Sequence, residues 1–133
     1  MISAIAALLF LWGSGADEPT SAPAPISEER QRILDRELAG KASQAAERCI
    51  STRTVHRMHV ISDDMLLFRV SGSLVYVNRL RQPCPGLART AYAPRIAASG
   101  SRYCSGDIAE TEADGGSSCQ IGDFTPYRTS TTD

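Results

Sequence analysis

The residues that could carry chemistry in this chain of 133 residues are four cysteines, two histidines and a few aspartates. Zinc sites use closely spaced cysteine pairs, and thiol redox sites use two cysteines separated by two residues. Neither spacing occurs among Cys49, Cys84, Cys104 and Cys119. We therefore predict no metal site, no cofactor and no thiol catalysis.

The histidines and aspartates suggest a hydrolase or a cation-dependent enzyme that uses His59, Asp63, Asp64 and Asp107. His56 and His59 are three residues apart in a predicted strand, where odd spacing sends side chains to opposite faces. Adjacent aspartates in a turn commonly bond their own backbone, and Asp107 follows Ser-Gly, where an aspartate caps a turn. Since no nucleophile-elbow pattern is present either, we predict no catalytic residues and keep the enzyme as the alternative.

The elements that must position these residues lie between positions 49 and 87. Apolar residues alternate with polar ones at 65–71 and again at 74–80, which predicts two strands. Gly72-Ser73 between them predicts a hairpin with a type II′ turn. A preceding strand at 55–61, joined through Asp63-Asp64, completes a three-strand meander. Further strands are predicted at 102–112 and 118–124.

The fold class that follows is mainly β (α+β). We predict a small antiparallel sheet or barrel of about five strands, with one N-terminal helix and two disulfides. Ser27 as N-cap and acids in the first turn predict the helix at 27–48. The β domain, cross-linked by the two disulfides, is expected at 49–127, and a flexible tail at 128–133.

The first residues are typical of an export signal. An apolar run from Ile2 to Trp12 precedes the small residues Ser14-Gly15-Ala16, which predicts a signal peptide at 1–16. The Pro-rich stretch 17–26 reads as a disordered linker. We expect a periplasmic or secreted protein without a transmembrane anchor after cleavage, although no basic residue precedes the apolar run.

In an exported chain of this size, four cysteines predict two disulfides. If the last two strands form a hairpin, Cys104 and Cys119 would lie roughly 20 Å apart, far beyond bridging distance. Two pairings remain: Cys49–Cys104 with Cys84–Cys119, or Cys49–Cys119 with Cys84–Cys104.

Charge is segregated along the chain despite a formal net charge of −1. Residues 49–105 carry eight arginines against Asp63 and Asp64, whereas residues 106–133 carry six acids against Arg128. The favoured interpretation is that acidic C-terminal strands neutralise the basic meander. The alternative is polyanion binding by an arginine-rich sheet face.

The chain resembles a family of small exported bacterial proteins known as a domain of unknown function. The resemblance covers about residues 49–126 and is carried by the motifs CI at 49, DD at 63, YxNxL at 76, CPGL at 84, CxxD at 104 and CxIGxF at 119. It implies the pairing Cys49–Cys104 with Cys84–Cys119 and no activity, substrate or cofactor. This chain differs from the family at 108–112, where the family has a strongly apolar strand and this chain has the more polar sequence IAETE.

These features together predict a noncatalytic exported β-domain with a binding or structural role in the cell envelope. Its expected partner is another envelope protein. No nucleic acid is expected.

Overall fold

The structure is a computed structural model that describes residues 26–89, 93–98, 100–111 and 117–130. The predicted signal peptide and all but the last residue of the predicted linker lie outside these ranges. The elements, in chain order, are α1 (Glu28–Leu38), β1 (Lys41–Ser43), β2 (Cys49–Ser51), β3 (Arg57–Ser62), β4 (Met65–Ser71), β5 (Leu74–Arg79), a 3₁₀ turn (Leu87–Arg89), β6 (Arg95–Ile96), β7 (Arg102–Cys104), β8 (Ile108–Thr111), β9 (Ser117–Gln120) and β10 (Phe124–Thr129).

The main sheet has five strands in the order β1-β10-β5-β4-β3, and every pairing in it is antiparallel. Two smaller sheets, β2-β7 and β6-β8-β9, complete the described part. The predicted fold class is confirmed: the protein is mainly β with one helix, a five-stranded antiparallel sheet and two disulfides.

The meander of β3, β4 and β5 forms as predicted, and Gly72-Ser73 joins its last two strands. The type II′ prediction is wrong, because Gly72 does not adopt the left-handed φ that this turn requires. The register instead shifts between Arg69 and Ser71. A bulge of this kind increases the local strand twist, and matching that twist is the reason that two-residue hairpins favour primed turns.

The two faces of the main sheet carry different cores, because successive side chains of a strand point to opposite sides. One face buries Phe68, Tyr76 and Phe124 together with Ala109 of β8 and Ile121, which follows β9. The opposite face is covered by α1. It buries a second cluster: Ile61, Met65, Leu67, Val75 and Val77, with Ile33, Leu34 and Tyr127 packed against it.

Helix α1 begins as predicted but ends early. Ser27 accepts a hydrogen bond from the backbone N–H of Arg30 (3.3 Å), which is the N-cap interaction. The helix ends at Leu38, well before residue 48, because Gly40 takes a left-handed φ of 69° and Lys41–Ser43 then pairs with β10. The prediction of a helix over 27–48 is corrected accordingly.

The predicted boundary between the β domain and a flexible tail is also corrected. β10 continues to Thr129, and Arg128 lies opposite Leu74 of β5 and Ala42 of β1. Pro126 lies within this strand, where its carbonyl accepts from the N–H of Gln44 (2.9 Å). Only the last three residues of the predicted tail fall outside the described ranges.

The predicted strand at 102–112 is two strands, β7 and β8, separated by a turn at 105–107. β8 pairs with β9 as a hairpin whose connection lies outside the described ranges. Within β8, Ala109 and Thr111 are buried while Ile108 and Glu110 are exposed. This alternation explains how so polar a segment still forms a strand.

A buried amide joins β5 to the connection between β9 and β10. Asn78 of β5 is fully buried, and its Nδ2 donates to the carbonyl of Gly122 (2.7 Å). The N–H of Gly122 donates back to Asn78 Oδ1 (2.8 Å). A Cβ on Gly122 would lie 2.1 Å from the carbonyl oxygen of Arg79, so no other residue fits this approach. We call this pair the Asn78–Gly122 clamp.

We expect Gly122→Ala to lower the free energy of unfolding by about 3 kcal/mol, because the clash separates two buried hydrogen-bonding groups as well as overpacking the site. Gly72→Ala is the matched control, since its nearest neighbour would be an arginine side-chain nitrogen 4.0 Å away. Urea unfolding of both variants measures the difference. Equal stability of the two variants would show that the clamp is unimportant.

Candidate functional site

The four cysteines form two disulfides and leave no free thiol. Cys49–Cys104 joins two directly opposed residues of β2 and β7, with Cα atoms 4.1 Å apart. Cys84–Cys119 joins the loop after β5 to β9, with Cα atoms 5.8 Å apart. This is the pairing that the resemblance implied. Every cysteine sulfur is therefore used in a cross-link.

Asp63 organises the loop that carries Cys84. Its carboxylate accepts from the backbone N–H of Ala88 (2.8 Å) and of Gly86 (3.4 Å). Its carbonyl accepts from the N–H of Cys84 (2.7 Å). The side chain bonds to a distant loop rather than to its own turn, so its role is to hold the CPGL segment against the end of β3.

Asp64 and Asp107 are turn residues. Asp64 accepts a hydrogen bond from the hydroxyl of Ser62 (2.6 Å). Asp107 Oδ2 accepts from the N–H of Cys104 (2.7 Å), and the N–H of Asp107 donates to the Cys104 carbonyl (3.0 Å). Asp107 thus caps its turn as predicted, whereas the carboxylate of Asp64 bonds a serine side chain and not the backbone of its own turn.

His59 lies on the face of β3 that α1 covers, whereas His56 precedes the strand and is exposed. Burial lowers the pKa of His59 below its ordinary value of 6.5; Glu37 acts in the opposite direction, and nearby arginines lower the pKa further. No hydrogen bond or ion pair in the described ranges joins His59 to Asp63, Asp64 or Asp107. The same ranges hold no group of three or more side chains that could ligate a metal.

The arginines that act on His59 belong to a basic cluster that sequence reasoning did not locate. It consists of Arg36 on α1, Arg57 and His59 on β3, and Arg69 on β4. Glu37 supplies the opposing charge: its buried carboxylate lies 3.1 Å from the Arg69 guanidinium, which is itself 42% exposed. Glu37 and Arg69 are 32 residues apart in the chain, so no local sequence pattern signals this contact.

A shallow pocket of about 370 Å³ opens beside the Cys49–Cys104 disulfide. Its apolar part comes from Ile50, Val70 and Leu74, and Arg102 and Glu47 are among its polar lining residues. Burial and a hydrogen bond to the Glu47 carboxylate raise the pKa of Tyr76, which also lines the pocket. The phenol is the donor in this hydrogen bond.

A larger groove, of about 480 Å³, lies beside the other disulfide. One wall is the segment from Arg81 to Pro85, and the other is β9 together with Ile108 of β8. Ile108 is the large apolar side chain that the described part leaves exposed. Neither the groove nor the shallow pocket is lined by any of the four residues suggested for an enzyme.

Comparisons with protein-family models, with curated proteins and with solved structures each find no match. The resemblance to small exported bacterial proteins therefore stays a prediction. Within the described ranges, α1 is the one α-helix, and no helix there is long and apolar enough to cross a membrane.

We expect His59 to make the protein less stable at acid pH. Because its pKa in the folded state lies below 6.5, the unfolded chain binds the proton more readily, so stability falls as the pH drops through 6.5 towards the folded-state pKa. Thermal unfolding between about pH 7.5 and about pH 5 should show a smaller loss for His59→Gln than for the unchanged protein. His56→Gln is the control, and it should retain the full loss.

Proposed function

We propose that this chain is an exported, noncatalytic β-domain that acts in the cell envelope by binding another protein. The observation that carries the proposal is that all four cysteines are consumed in two disulfides. Such cross-links persist in oxidising compartments and are rare in the cytosol. They stabilise a domain whose core is small for its surface.

The surroundings of the four enzyme candidates support a noncatalytic role. Asp63, Asp64 and Asp107 each accept hydrogen bonds that hold a loop or a turn. Each of these carboxylates therefore has a structural role that accounts for its presence. The groove and the shallow pocket are, by contrast, concave surfaces whose walls suit the contact of a side chain or a peptide. The resemblance to exported bacterial proteins points to the same compartment.

The export proposal predicts two disulfides in protein purified from its native compartment. Mass spectrometry of the non-reduced protein should identify Cys49–Cys104 and Cys84–Cys119, and a mature N-terminus near Asp17. Replacing Cys84 and Cys119 together by serine should lower the free energy of unfolding by about 3–4 kcal/mol, as expected for a closed loop of this length. Four titratable free thiols in the native protein would overturn the proposal.

A second candidate function is polyanion binding, and the placement of the charges favours it over simple neutralisation. β10, which lies beside the basic meander, brings Arg128 and no carboxylate. In the described part, ion pairing within 4.0 Å is limited to Arg69 and Glu37. Glu110 lies opposite Arg95, but this pair belongs to the sheet of β6, β8 and β9 and not to the basic meander. The basic cluster around His59 thus keeps a net positive charge.

This candidate predicts that the protein is retained on heparin at low salt, with retention that weakens as salt rises. Arg57→Gln should elute at lower salt than the unchanged protein, because it removes a charge from the basic cluster. Arg53→Gln, which removes the same charge from the exposed turn after β2, should change elution less. Polyanion binding at this cluster would be contradicted if the protein failed to bind heparin at low salt, or if both variants shifted the eluting salt concentration equally.

A further inference from the structure

The outer edge of β9 exposes backbone groups that other strands of the fold use for pairing. The N–H of Ala97 donates to the carbonyl of Ile108 (2.9 Å), so the backbone of Ile108 faces β6 and that of Ala109 faces β9. Ala109 lies opposite Cys119. Because backbone direction alternates along a strand, Ser118 and Gln120 direct their N–H and C=O groups away from β8.

The end of β5 and the segment after it make two contacts with the end of β9 and the residues that follow it, and the segment then diverges from β9. The side chain of Asn78 bonds both backbone groups of Gly122, and the N–H of Arg81 donates to the carbonyl of Gln120 (3.1 Å). The next contact in this series would fall at Ser118. Pro83 and Pro85 follow Arg81, and prolines have no N–H with which to continue the pairing. The edge is therefore left open at Ser118.

The opening is the groove of about 480 Å³ described above. Its apolar surface comes from Pro83, Pro85 and Ile108, and the Cys84–Cys119 disulfide joins its two walls. The disulfide limits closure of the walls onto each other and also limits their separation. The groove combines an open position on a strand edge, at Ser118, with an apolar wall, and proteins use backbone pairing and apolar contact of this kind to bind an extended peptide by strand addition.

Arg81 gives the groove its charge. The side chain is exposed, and its guanidinium donates to the hydroxyl of Ser105 (3.2 Å). No carboxylate in the described ranges forms an ion pair with Arg81. A bound segment that places a carboxylate beside this guanidinium would complete its hydrogen bonding.

We propose that the groove binds an extended segment of a protein partner, which adds to the edge of β9 at Ser118, rests an apolar side chain on Pro83 and Ile108, and directs an acidic side chain to Arg81. This proposal rests on the proposed function, because it names the surface through which the exported domain would bind its partner. The occupant is a peptide rather than a free anion, since the unpaired groups of Ser118 include both a donor and an acceptor.

The experiment uses the full chain with both disulfides formed, immobilised and screened against a random twelve-residue peptide library. We expect enrichment of peptides that alternate apolar and polar residues and carry an acidic residue. An enriched peptide, added to ¹⁵N-labelled protein, should shift the amide resonances of Ser118 and Gln120. Fluorescence anisotropy of the same labelled peptide then measures its Kd for each variant.

Ser118→Pro removes an outward N–H without removing a bond to β8, so it should weaken binding by about tenfold or more while the protein stays folded. Arg81→Gln should weaken binding by a few-fold and abolish the preference for the acidic residue. It also serves as the second variant if proline disturbs the strand. Arg102→Gln, which removes the same charge from the shallow pocket, should leave the Kd unchanged.

Several results would overturn the proposal. One is the absence of enriched peptides, and another is a Kd that neither variant changes. A third is a concentration-dependent dimer that Ser118→Pro abolishes, because the occupant would then be a second copy of this chain. A partner that binds elsewhere on the domain would contradict the groove proposal but not the proposal of an exported binding domain. Free thiols in the native protein would contradict the proposal of an exported domain.

Discussion

The structure depends on the clamp between Asn78 and Gly122. The main sheet alone leaves one of its faces, with Phe68, Tyr76 and Phe124, open to solvent, so a second layer must be held against it. A buried amide contributes to this, together with the Cys84–Cys119 disulfide, by bonding both the N–H and the carbonyl of Gly122, and the missing Cβ lets the two backbones approach. Because a buried unpaired amide is costly, this contact specifies one arrangement of the two layers rather than merely favouring contact.

The same clamp explains why the groove exists where it does. Pairing begins at Gly122, continues to Gln120 and is stopped by the prolines that flank Cys84. The Cys84–Cys119 disulfide then keeps the two diverging segments near each other. Asp63 fixes the far side of the same loop through the N–H groups of Gly86 and Ala88. Residues that looked like candidates for chemistry are thus used to shape a surface.

The helix layer is held by charge as well as by apolar packing. One guanidinium of α1, that of Arg30, donates to the carbonyl of Val60 (2.9 Å) and to that of Ala88, so it covers the edge of β3 and ties the CPGL loop to the helix. Glu37 lies near the other end of α1 and pairs with Arg69. Among the charged groups that act on His59, Glu37 is the carboxylate and three are arginines, so the arginine charge is not fully compensated. Burial of the imidazole is the main cause of its lowered pKa, and these arginines lower the pKa further.

The sequence by itself determined the features that depend on near neighbours. Alternation predicted the meander, Ser27 predicted the start of α1, and Asp64 and Asp107 were expected to serve turns. Four cysteines in a chain with a predicted signal peptide indicated two disulfides, although spacing alone left two pairings open. Tertiary structure decided the rest. Lys41–Ser43 became a strand because β10 offered it an edge, and β10 continues through Pro126 to Thr129 because it pairs with β5 on one side and β1 on the other. The groove, the basic cluster and the clamp each join residues that lie far apart in the chain, and no local periodicity records such a contact.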